Sequence, residues 1–125
     1  MRRRRKIDDE LCIYCGDIAA EWDHVPPKKW LRLFALHNTY LTINHVKVAA
    51  CKDCNSALGG QPLFTIQERR AYIRARLWRK FARLLAMPGW KDGELEELGP
   101  SLRRHIAAKL QQKAHVIRRI GMARW

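Results

Sequence analysis

The sequence predicts an α+β fold in which a small cysteine-clamped unit is extended by two long basic α-helices. Three observations predict it. Four cysteines fall as two C-x2-C pairs, Cys12–Cys15 and Cys51–Cys54. Short β-prone stretches lie between those pairs, and almost everything after residue 65 has helical periodicity. The charge is uneven: of a net +13, residues 1–65 carry 10 cations against 7 acids and residues 66–125 carry 15 against 5. At 125 residues the chain fits one compact domain with an annex, divided here into a basic N-terminal arm (1–10), a cysteine-bearing module (11–60) and a basic helical extension (61–125).

The arm, Met1-Arg2-Arg3-Arg4-Arg5-Lys6, has the charge of a secretory leader, but Asp8, Asp9 and Glu10 follow where an apolar segment would be needed. No run of 18 or more apolar residues exists to span a bilayer. The expectation is a cytoplasmic protein without a membrane anchor.

In the module, Trp22 to Val25 reads as a strand stopped by Pro26-Pro27, because proline lacks the donor a ladder requires. Lys29 to His37 reads as a helix, with Trp30, Leu33, Phe34 and His37 at helical spacing. Leu41 to Ala49 alternates Leu41, Ile43, Val46 and Val48 and reads as a second strand. A short helix is expected after Cys54, ending near Gly59-Gly60.

In the extension, 66–87 reads as one long amphipathic helix. Its apolar stripe is Ile66, Ile73, Leu77, Phe81, Leu84 and Leu85, and Met87-Pro88-Gly89 ends it. After an acidic turn at Glu94 to Leu98, Ser101 is the expected N-cap of a last helix carrying Leu102, Ile106, Leu110 and Ile117. The stripes are read as core.

The cysteine spacing carries the first chemical inference. A tight turn between paired cysteines aims two sulfurs at one edge of a tetrahedron, and a second pair supplies the other edge. Two such knuckles in a reducing compartment read as a structural four-thiolate zinc site. Gly16 gives the first turn its backbone freedom. Disulfides are disfavoured in that compartment; iron in place of zinc stays open.

The positive field carries the second. A surface of this charge concentrates polyanions, and DNA is the expected partner ahead of an anionic membrane surface. Arg69, Arg70, Arg74, Arg76, Arg79, Lys80 and Arg83 form a stretch without a single acid; they are the candidate phosphate-binding face.

Between the knuckles stand Asp23-His24-Val25-Pro26, and Asn55 directly follows the last cysteine. The pattern Cys12-x2-Cys15, Asp23-His24-Val25-Pro26, Cys51-x2-Cys54-Asn55 resembles the HNH endonuclease family (His-Me finger nucleases), particularly its small phage-type members. The likeness covers roughly residues 12–59. It implies a ββα-metal fold, with His24 as general base and Asp23 and Asn55 as ligands of a catalytic Mg²⁺ or Mn²⁺. The zinc is then scaffold only. The residues suit that chemistry on their own terms. An imidazole of pKa ~6.5 is largely neutral at physiological pH and can take a proton from water. A carboxylate and an amide oxygen are hard donors suited to Mg²⁺.

The sequence departs from the family where a middle Asn is usual: that register holds Val46, with Asn44 and His45 just before it. The lysine often found after the final Asn is absent. The expected function is a metal-dependent DNA endonuclease; the alternative is a non-catalytic zinc-knuckle protein that binds nucleic acid as a regulator or packaging accessory. A homodimer or a phage packaging partner stays open. His37, His105 and His115 lack ligand-like spacing and read as ordinary helix residues.

Overall fold

The computed structural model describes residues 7, 10–36 and 46–123. The basic arm, Asn44, His45, His37 and the first half of the expected second strand lie outside the described residues.

Among the described residues eight elements follow in order: β1 (Glu21–Val25), α1 (Lys28–Leu36), β2 (Val46–Ala50), α2 (Lys52–Leu58), α3 (Ile66–Lys80), α4 (Ala82–Leu85), α5 (Asp92–Glu96) and α6 (Pro100–Met122). The strands form a two-stranded antiparallel sheet in which Glu21 faces Ala50, Asp23 faces Val48 and Val25 faces Val46. Two strands alone are marginal in water and need a packed face. That face is supplied by the knuckles and by helices α2, α3 and α6. The fold is therefore α+β, as the β-prone stretches and the helical periodicity predict.

The first knuckle is stitched to the sheet through its backbone. Cys12 N–H donates to Asp17 O at 2.6 Å and Gly16 N–H to Cys12 O at 2.8 Å, closing the turn, while Ile13 N–H donates to Ala49 O at 2.9 Å. Gly16 sits at φ +76, the left-handed region a side chain resists, and a Cβ there would lie 2.8 Å from Met122 Cγ. The second knuckle opens α2. Cys51 is its N-cap, with Sγ accepting from Cys54 N–H at 3.4 Å, so the helix begins before Cys54 rather than after it. Gly59, at φ 44, terminates it where expected.

The extension differs from its sequence reading in three respects. The 66–87 helix is broken at Phe81 (φ −109, ψ 22) into α3 and α4. Hydrogen bonds from Phe81 N–H to Leu77 O and from Leu85 N–H to Phe81 O still bridge the break, so the chain kinks there without stopping. Thr65 caps α3, accepting from Glu68 N–H. At α6, Gly99 rather than Ser101 is the N-cap: Pro100 takes the first helical position, where its missing N–H costs nothing. The acidic turn is the short helix α5.

One core joins module and extension. Cys12, Tyr14, Cys15, Val48, Ala50, Cys51, Cys54 and Leu58 pack with Ile73 and Leu77 of α3 and with Val116 and Ile120 of α6. Ile73 and Leu77 confirm the α3 stripe, with Ile66, Phe81, Leu84 and Leu85 at its partly buried margin. The α6 stripe is misread in sequence at its two ends: Ile106 and Leu110 are half-buried, but Leu102 and Ile117 are each 51% exposed, and Val116 and Ile120 are the residues inside. The helix turns its C-terminal half toward the knuckles, and the i, i+4 pair Val116–Ile120 follows that face.

Candidate functional site

The four cysteines converge. All are buried and free, and their Sγ atoms lie within 4.8 Å of one another. Cys15 and Cys51 Sγ stand 3.7 Å apart, far beyond a disulfide bond of about 2.05 Å. A tetrahedral zinc with Zn–S bonds of about 2.3 Å spaces its sulfurs about 3.8 Å apart, so the cluster fits such an ion closely. The hydrogen bond from Cys15 leads the interactions that bring Cys12 down to about 6. Cys15 and Cys51 come down to about 7, and the Cys54 thiol, crowded by the other three, is pushed up. A cation bound by all four sulfurs would displace the protons they hold. The residues present could hold a metal ion such as zinc.

The second constellation is arranged differently. Asp23 is 7% exposed and its Oδ2 accepts from Tyr14 Oη–H at 2.5 Å and from Arg69 Nη2 at 2.6 Å. Arg69 is wholly buried. Its Nε donates to Tyr14 Oη at 3.0 Å and its Nη1 to Leu63 O at 3.1 Å. Tyr14 thus accepts from Arg69 and donates to Asp23; burial, reinforced by the Asp23 carboxylate, pushes its phenol above the ordinary range and keeps it a donor. A buried charge needs a partner and further hydrogen bonds to be tolerated, and this triad supplies both.

Asn55, in α2, donates through Nδ2 to Glu21 Oε2. Glu21 and Asp23 are two apart in β1 and share the face packed on α2. The fold therefore brings Asn55 to the Asp23 side of the strand. His24 is half-buried and pairs in the ladder with Lys47, so regular alternation sends its imidazole to the opposite face from Asp23. Of the three predicted site residues, two share a face and the third is next to them across the strand. As folded, the Asp23 carboxylate does not fit a site for a catalytic Mg²⁺ or Mn²⁺, because the Arg69 guanidinium already holds it. Glu21, hydrogen-bonded to Asn55, is the less committed carboxylate on that face; it stands two residues before Asp23, outside the Asp-His dipeptide that carries the sequence signal.

The acid-free run of cations acquires acids from elsewhere in the chain. Arg69 is the clearest correction: wholly buried on Asp23, it is no part of a solvent-facing phosphate site. Arg70 is half-buried, its Nε donating to Ile13 O at 2.8 Å. Arg76 and Lys80 both pair with Asp53, at 3.3 and 3.4 Å. Arg74 is half-buried beside the exposed Trp78. Arg79 and Arg83 face solvent. Lys80 and Arg83 also line a groove with His105 and Lys109 of α6, two residues outside the predicted face. His115, read as an ordinary helix residue, stands 3.2 Å from Asp17 of the first knuckle. Neither pairing was legible, because each joins residues distant in sequence.

Among the described residues, no helix is long and apolar enough to cross a membrane. Comparison of the chain with protein-family models, curated proteins and solved structures finds no match.

Proposed function

We propose that this chain is a zinc-scaffolded, metal-dependent endonuclease of HNH type that hydrolyses phosphodiester bonds in DNA. One observation carries the reading. Beside the four clustered cysteines, the two-stranded sheet and α2 pair Asn55 with Glu21 of β1, two residues from Asp23 and on its face, with His24 next in the strand. His24 is the general base of this reading, a role that requires the end of β1 to twist so that its imidazole turns from the opposite face to the Asn55 side, where it would take a proton from the attacking water. Asn55 and one carboxylate on its face would hold a divalent cation, which would neutralise charge gathering on the phosphate. That role requires Asp23 to exchange Arg69 for the ion, or Glu21 to take its place. The DNA backbone runs along the groove of Lys80, Arg83, His105 and Lys109, where among the described residues no acidic side chain lines the wall.

The Asp23–Arg69 pair favours a second reading, in which Asp23 is a structural pin and the chain binds nucleic acid without cutting it. Incubation of the purified protein with supercoiled plasmid separates the two. The nuclease reading predicts nicked or linear product with Mg²⁺ or Mn²⁺ and none after their chelation under conditions that leave zinc bound. Retarded but intact plasmid at every metal concentration supports the second reading.

A further inference from the structure

Arg119 lies near the C-terminal end of α6, 65 residues from the nearest of the cysteines, yet it is only 7% exposed. Its Nη2 donates to Asp53 Oδ2 at 2.9 Å and stands 3.8 Å from Cys54 Sγ. Its Nε lies 3.8 Å from Asp17 Oδ2, too far for a hydrogen bond, and is the one buried side-chain polar atom among the described residues without a hydrogen-bond partner. The same helix end is fastened around it. His115 pairs with Asp17, Met122 packs on Gly16, and Ala123 is buried.

Electrostatics explains why a guanidinium belongs there. A divalent ion with four thiolates carries a formal charge of −2, buried in this core beside Asp53 and Asp17. A tetrathiolate in low dielectric needs N–H donors and a countercharge, and the residues beyond the direct ligands set how firmly the metal is held. Arg119 offers both, with an unused donor at the site.

Resting on the zinc reading of the four cysteines, we propose that Arg119 is a positioning residue of the metal centre. It neutralises and hydrogen-bonds the thiolates, and through it the metal's charge holds α6 onto the knuckles. The C-terminal helix is then the outer wall of the metal site as well as part of the extension. Asp53 orients the guanidinium by taking one of its donors.

The test uses the full chain, purified with its metal. Zinc content is measured by elemental analysis, and zinc release by absorbance of a chromophoric chelator. Arg119→Met keeps the bulk and removes charge and donors; Arg119→Lys keeps the charge. Val116→Ala loosens the packing of α6 without touching charge. The expected result is one zinc per wild-type chain and release accelerated by about 10–100-fold in Arg119→Met. Arg119→Lys should fall between the two, and Val116→Ala should lower thermal stability while releasing zinc at the wild-type rate. In cobalt-substituted Arg119→Lys, loss of the N–H···S interaction should move the thiolate-to-cobalt charge-transfer band to longer wavelength. That measurement decides the matter if Arg119→Met does not fold. Equal release by wild type and Arg119→Met overturns the inference, as does equal acceleration by Val116→Ala or an unmoved band. A wild-type chain containing no zinc overturns the metal reading itself, a failure distinct from these.

Discussion

The cysteine cluster and the Asp23–His24–Asn55 constellation sit on the same small sheet, and the fold treats them in opposite ways. Each cysteine pair is set by a local turn, and the sheet brings the two turns together, so four side chains reach one point. The other three residues are distributed by strand alternation and by tertiary ion pairing. Asn55 reaches the Asp23 face, His24 projects from the other, and Asp23 is claimed by an arginine 46 residues away. A site made of turns can be read from spacing. A site that depends on which partner wins a carboxylate cannot.

The largest expected effect breaks the turn-built site. Cys51→Ser removes a ligand and the sulfur that caps α2, and structural zinc in small domains contributes about 10–16 kcal/mol of apparent binding energy to folding. The variant should purify without zinc, with the sheet and knuckles unfolded by amide hydrogen exchange before the distal parts of α3 and α6 are exposed. Retained strand protection in a zinc-free variant would show that the core suffices alone.

Next comes the buried triad. Arg69→Met leaves Asp23 charged and unpaired beside Tyr14, and breaking a buried pair from one side costs about 3–5 kcal/mol. Chemical denaturation should show that loss. Asp23→Asn in the same background should recover part of it, since the orphaned charge is gone. A loss below about 1 kcal/mol would mean that the pair is solvated and replaceable.

Sequence reached the parts of this fold that local chemistry dictates. The cysteine pairs, Gly16 and Gly59, the proline stop after Val25 and the α3 stripe at Ile73 and Leu77 all stand where their residue types require. It failed where the third dimension decides. Arg69 looks like its neighbours in an acid-free run, and only the docking of α3 on the first knuckle turns it inward. Leu102 and Ile117 have helical spacing but face water, because the knuckles meet α6 along Val116 and Ile120. The α2 start is misplaced in sequence since cysteine is an unusual cap, and here the knuckle's turn puts the Cys51 sulfur over Cys54 N–H.

Acid should strike the cysteine centre through its thiolates. Without metal, Cys12 titrates at about 6 and Cys15 and Cys51 at about 7, below the ordinary 9.0. These depressed values favour the folded thiolate form above 9.0, and the advantage fades as pH falls toward 6. Bound metal competes with the same protons and extends retention further down. Zinc release to a chelator should be slow at pH 8 and accelerate below pH 6. Release that is independent of pH would place the metal elsewhere.

The smallest effect concerns the groove between α4 and α6. Replacing both Arg83 and Lys109 with alanine would remove two of the phosphate contacts that the proposed DNA path requires. The slope of log binding constant against log salt for duplex DNA should become shallower by about 1.8, with little change in stability. An unchanged slope would move the backbone path off this groove.

The catalytic claim rests on His24, and cleavage of supercoiled plasmid by a His24→Ala variant tests it most directly. With zinc content and DNA affinity matched to wild type, cutting should fall by at least about 100-fold, the usual contribution of a general base. A zinc-loaded His24→Ala protein that cuts at the wild-type rate would contradict the account.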